Sequence, residues 1–110
     1  MAVTECNYFD NGGGGNAFSV PEMKTVAGGG YAYVSASNVS KVILFIPELP
    51  EISFWDISGI GDNYVLPKNA VTPITNPTTA QVNQSVTYSN GTITIHSESS
   101  AQRDVWVTYC

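Results

Sequence analysis

Charge is what this sequence has least of. Only 12% of its 110 residues are Asp, Glu, Lys or Arg, about half the usual share for a soluble domain. The basic residues are Lys24, Lys41, Lys68 and Arg103, against nine acidic ones, for a net charge of −5. They stand singly along the chain. A phosphate backbone is held by clustered cations that displace its counterions, so no nucleic-acid partner is expected. Anionic membrane surfaces are disfavoured for the same reason. Long apolar runs are missing too. The longest is Val42–Ile46, far short of the roughly 20 residues of a membrane span. Met1-Ala2-Val3-Thr4-Glu5 has neither the basic stretch nor the apolar core of a secretion signal. The expectation is a chain made in the cytoplasm, with no signal peptide and no transmembrane segment.

Histidine and cysteine are scarce. There is one histidine, His96, and there are two cysteines, Cys6 and Cys110. Two cysteines without zinc-type spacing do not make a metal site. They leave three arrangements open: a disulfide closing nearly the whole chain, an interchain bond through Cys110, or two thiols. For a cytoplasmic chain the reduced thiols are the expectation. No cofactor is expected. Gly12–Gly15 lacks the Lys-Ser/Thr that follows a phosphate loop, and neither it nor Gly28–Gly30 joins a clear strand to a long helix.

What is abundant is Gly, Asn, Ser, Thr and short apolar strands. Residues 1–30 hold both glycine tracts and read as a Gly-rich arm or a set of long loops. Ordering such a segment costs much backbone entropy. Within it, Ser19-Val20-Pro21-Glu22 has capping-box spacing. A two-turn helix over 20–27 and an extended segment fit it equally.

Residues 31–110 read as the body. Tyr31–Val34 alternates. Lys41–Ile46 is continuously apolar after its lysine and ends at Pro47, which predicts a central strand buried on both faces. Pro47–Pro50 is a turn, Ile52–Ile57 a strand, and Tyr64–Leu66 and Ala70–Ile74 short strands. Asn90-Gly91 suits a type I′ turn, which pairs Ser89 with Thr92 and Ser85 with His96. Tyr88, Ile93, Val86 and Ile95 then share a face. The apolar pattern selects the same register independently, and places Gln84 at the margin of the inner row. Asp104–Cys110 alternates again. About eight short strands with turns between them predict a single all-β domain, an antiparallel β-sandwich or jelly roll.

Catalytic constellations are thin. His96 falls opposite Ser85, well inside a strand, as a solvated cross-strand pair rather than a general base. Glu48 and Glu51 flank a turn. Asp56 and Asp62 flank a glycine loop that lacks the spacing of a calcium-binding loop. No enzyme is expected. The aromatic residues are more telling. Trp106 falls opposite the Val105/Val107 face of its strand, and Trp55 shares a face with Ile57. A solvent-facing tryptophan suits a protein interface or sugar stacking, which makes Trp55 and Trp106 the candidate contact residues.

The Gly/Asn-rich start, the low charge and the Ser/Thr/Asn-rich strands give a texture. In it the chain resembles the small accessory virion proteins of tailed bacteriophages, of decoration, tail or fibre type. The resemblance implies a non-enzymatic structural or assembly protein that contacts other protein subunits, as a homo-oligomer or on a virion lattice. A carbohydrate-binding or adhesion module and a small acidic inhibitor are the alternative readings.

Overall fold

The computed structural model describes residues 6–7, 16–57, 63–66, 71–78 and 81–110. They form eleven strands: β1 (Cys6–Asn7), β2 (Asn16–Ala17), β3 (Glu22–Val26), β4 (Tyr31–Ser35), β5 (Lys41–Ile46), β6 (Glu51–Asp56), β7 (Tyr64–Leu66), β8 (Ile74–Thr75), β9 (Gln84–Ser89), β10 (Thr92–Ser97) and β11 (Arg103–Tyr109). There is no α-helix among the described residues. A six-stranded sheet has the order β3-β11-β5-β6-β7-β8 and a three-stranded sheet the order β4-β10-β9, while β1 and β2 form a separate parallel pair. Every pairing in the two larger sheets is antiparallel. The sheets pack face to face as an all-β sandwich, with nine strands where about eight are expected.

The core is where period-2 alternation from both sheets converges. Leu44, Ile46, Val105 and Val107 of the large sheet meet Ile93, Ile95, Val86 and Val34 of the small one, all buried. The β9–β10 hairpin has the expected register from Ser89↔Thr92 to Ser85↔His96. Asn90 and Gly91 both take positive φ, 52° and 74°, as a type I′ turn requires. One position in it differs. Gln84 is not at the margin but 2% exposed. Its partner across the hairpin is Ser97, itself 1% exposed, so the inner row continues one polar pair deeper than its apolar residues.

The boundary at residue 30 is corrected. β3 is an edge strand of the large sheet, paired with β11 from Val26↔Arg103 to Glu22↔Val107, and Val26 is fully buried. The segment 20–27 is extended, not helical. Ser19 caps no helix. Its N–H donates to the Tyr109 carbonyl at 2.7 Å, and its Oγ accepts from the Tyr109 N–H at 3.0 Å. Strand pairing supplies the same orphaned groups with partners over a longer stretch than one capping box. The second glycine tract is likewise no arm. Gly28–Gly30 turns the chain from the large sheet into the small one, and the Gly30 N–H closes the turn on the Ala27 carbonyl at 2.8 Å. Gly12–Gly15 lies outside the described residues. So do residues 67–70. Of the strand expected over Ala70–Ile74, Ala70 falls among them, but residues 71–73 are bends and irregular chain and Ile74 alone is strand, in β8, so that expectation is corrected.

Candidate functional site

Lys41–Ile46 sets up the most distinctive surface. An apolar residue at every position after Lys41 puts apolar side chains on both faces of the sheet. Val42, Leu44 and Ile46 are buried against the small sheet. Ile43 and Phe45 face the other way, and Phe45 is exposed. The expectation of burial on both faces is therefore corrected, because the second sheet covers only one.

Register extends that open face across the sheet. Met23 pairs with Trp106, Trp106 with Phe45, Phe45 with Ile52, and Ile52 with Leu66. This makes one row of apolar side chains across five strands. The next outward row runs Thr108, Ile43, Phe54, Tyr64 and Thr75. Trp106 is 41% exposed and Met23 49%. Two shallow grooves lie on this face. One, about 450 Å³, is lined by Pro21, Ile43, Phe45, Trp106 and Thr108. The other, about 290 Å³, is lined by Phe54, Tyr64, Leu66 and Pro73. Among the described residues, charges stand only at its ends. Lys41 approaches Asp56 at 3.8 Å at one end, and Asp104 accepts from the Thr25 hydroxyl at 2.8 Å at the other.

The two tryptophans separate. Trp55 is 9% exposed and belongs to the core, where its indole N–H donates to Ser53 Oγ at 2.8 Å. It is withdrawn as a contact residue. Its face is the inner one, shared with Glu51 and Ser53. Trp106 remains. Phe45, Met23, Ile52 and Leu66 join it and were missed. The outward phase of β5 carried the signal, but alternation does not reveal which sheet face lacks a partner.

The small sheet's outer face holds the one histidine. His96 lies opposite Ser85, as the hairpin register requires. It also stacks on Tyr31, with ring centroids 4.5 Å apart, and its Nδ1 lies 3.1 Å from Glu98 Oε2. Ser85 Oγ donates to the same Oε2 at 2.8 Å. The Ser85 hydrogen bond, together with His96, holds the Glu98 carboxyl below its ordinary value against partial burial. Serine, histidine and carboxylate are thus together, but the carboxylate sits between the other two. A nucleophile relay needs the hydroxyl on a histidine nitrogen, and here its proton goes to Glu98.

The remaining carboxylates go to separate partners. Glu48 binds Arg103 at 3.3 Å on the surface. Glu51 is buried, accepts from Asn83 Nδ2 at 2.9 Å, and is pushed up by desolvation. The Asp56 N–H donates to Asn63 Oδ1 at 2.8 Å, while Asp62 lies outside the described residues. No group of three potential metal ligands occurs among the described residues, and no helix there is long and apolar enough to cross a membrane. The expected thiols are corrected: Cys110 is disulfide-bonded, and there is no free cysteine among the described residues. The chain's one other cysteine is Cys6.

No known protein family, curated protein or solved structure matches this chain.

Proposed function

We propose that this protein is a non-enzymatic structural subunit, that its neighbour is a second copy of the same chain, and that the setting is a virus particle. The observation that carries the reading is the apolar row Met23–Trp106–Phe45–Ile52–Leu66, on the face of the large sheet turned away from the small one. An uncharged centre rich in aromatic residues and Met, with charges confined to the rim, is the anatomy of a protein interface.

Three features favour a second copy as the occupant. The centre of the face holds no charge, so identical chains of net charge −5 meet there without close repulsion. Lys41 and Asp104 stand at opposite strand ends on adjacent strands. A two-fold copy turned end for end brings each Lys41 towards the other copy's Asp104. Six strands spaced about 4.8 Å apart make a face about 24 Å wide. Its area, roughly 500 Å² in plan before side-chain relief is added, approaches the about 800 Å² per partner of a standard interface. Stacking two such faces makes an isologous contact. A disulfide-bonded Cys110 suits a particle that meets oxidising surroundings outside the cell.

Light scattering on the eluting protein tests this. Wild type runs as a dimer or larger, and Trp106→Ser with Phe45→Ser runs as a monomer with an unchanged circular dichroism spectrum. A wild type that stays monomeric at about 100 μM, where even a micromolar dimer is filled, sinks the proposal.

A further inference from the structure

The opposite side of the sandwich carries a surface of another chemistry. β4, β10 and β9 turn Tyr31, Tyr33, Thr94, Thr87, His96 and Ser85 outward. Tyr31 and Tyr33 are 57% and 59% exposed. Their ring centroids are 6.4 Å apart and the rings lie 12° from parallel. His96 also stacks on Tyr31, across the strand pair. The core lies on the other face of these strands, so neither tyrosine is needed to fill it.

Glu98 closes the row with a fixed carboxylate. Both of its side-chain hydrogen bonds fall on Oε2, and Oε1 has no partner among the described residues. The contact with Glu98 occupies His96 Nδ1 and leaves Nε2 to hydrogen-bond a ligand. The cluster therefore presents two aromatic rings, a positioned carboxylate acceptor, the His96 Nε2 and the hydroxyls of Thr87 and Thr94.

We propose that Tyr31, Tyr33, His96 and Glu98 form a binding site for a neutral oligosaccharide. One sugar unit lies with its aliphatic face on the Tyr33 ring and the next packs against the exposed edge of Tyr31, whose face is shared with His96, and burial of apolar area supplies affinity. Sugar hydroxyls donate to Glu98 Oε1 and exchange hydrogen bonds with His96 Nε2 and the threonines. Acidic sugars are turned away by Glu98 and by the net charge of −5. A protein neighbour fits less well, because this face lacks the Met, Phe, Ile and Leu that the large sheet's outer face displays. The site stands apart from the self-contact face and does not depend on it.

Titration calorimetry of the full chain against cellohexaose, maltohexaose and N-acetylchitohexaose tests it. At least one binds with a dissociation constant below about 1 mM. Tyr31→Ala and Tyr33→Ala each weaken that binding about tenfold, equivalent to about 1.4 kcal/mol. Glu98→Gln weakens it several-fold, and Trp106→Ser leaves it unchanged. Tyr31→Phe and Tyr33→Phe keep the rings and most of the affinity, which separates ring loss from misfolding. No binding to any of the three, or binding indifferent to both alanine variants, overturns the site. So does loss of self-association in Tyr31→Ala without saccharide binding, which would give this face to a protein neighbour.

Discussion

Gly28 and Ser100 approach so closely that a Cβ on Gly28 would lie 2.1 Å from the Ser100 carbonyl oxygen. The obstacle is backbone, with no flexible side chain to yield. Gly28→Ala must therefore shift the corner where the chain changes sheets, at a cost of about 1–3 kcal/mol. Gly29, at φ +69° with open space around it, is limited only by its left-handed backbone, so Gly29→Ala costs about 1 kcal/mol. Urea unfolding of both variants checks the order. Gly28→Ala as mild as Gly29→Ala would show that the contact is slack.

The tryptophans should divide stability from assembly. Trp55→Ala removes a buried ring and leaves Ser53 without its indole donor, for a loss of about 3–5 kcal/mol. Trp106→Ser leaves monomer stability within about 0.5 kcal/mol, as for an exposed position. Denaturant midpoints, measured dilute enough to hold both variants monomeric, decide this. Equal losses would place Trp106 in the fold rather than on a contact face.

Gln84 is the core's costliest side chain. Both ends of its amide are buried and have no hydrogen-bond partner among the described residues. An orphaned buried polar group costs about 1–3 kcal/mol. Gln84→Met keeps the length and removes the amide, so it should stabilise by about 1 kcal/mol. A thermal midpoint that falls instead would show that the amide has a partner, such as a buried water.

Two carboxylates give opposite pH responses. Desolvation raises the Glu51 carboxyl above its ordinary value of 4.5 in the folded state. The folded chain then holds that proton more tightly, and stability falls as pH rises from 4.5 through the raised value. The Ser85 and His96 hydrogen bonds lower the Glu98 carboxyl. Its contribution is present above 4.5 and is lost as pH falls through the lowered value. Glu51→Gln should therefore flatten the decline above pH 4.5, and Glu98→Gln the decline below it. Unfolding free energies measured from pH 3 to 7 test both. A Glu51→Gln profile parallel to wild type would contradict the first.

Reduction of the Cys110 disulfide should cost stability without changing the sheets. With Cys6 as the other cysteine, the closed loop spans nearly the whole chain. Chain entropy then assigns it about 4–5 kcal/mol. A thermal midpoint unmoved by reductant under denaturing-gel confirmation of reduction would reject that figure.

Much of this fold is legible in local residues. Asn90-Gly91 dictates a positive-φ turn, and the apolar parity of Val86, Tyr88, Ile93 and Ile95 agrees with it, so the hairpin could be written down to its register. β11 is equally plain from Val105, Val107 and Tyr109. What alternation cannot carry is which strands meet at a distance. The pairing of β3 with β11 joins Met23 to Trp106, and no local pattern connects them, so Glu22–Val26 reads as part of an arm. The same blindness hid the outward apolar row. Phe45 looks like a core residue because its neighbours in sequence are core residues, and only the count of covering strands shows that nothing in the small sheet reaches it. Trp55 reads as exposed for the converse reason, since the polar Ser53 and Glu51 on its face disguise an inward surface. Tyr31 comes from β4 and His96 and Glu98 from β10 and its end, and only the steps from His96 to Ser85 and to Glu98 are local in sequence.

β11 is the last strand in chain order but the second in the large sheet, between β3 and β5. During synthesis, β5, β6 and β7 can pair as each emerges, and the β9–β10 hairpin can close on its own turn. β3, made early, has no sheet neighbour until residues past 103 leave the ribosome. The two sheets therefore cannot be completed progressively. A nascent chain must carry an unpaired β3 and an open β5 edge until β11 arrives to join them, and that interval is when the chain is most exposed to pairing with a neighbour's strand.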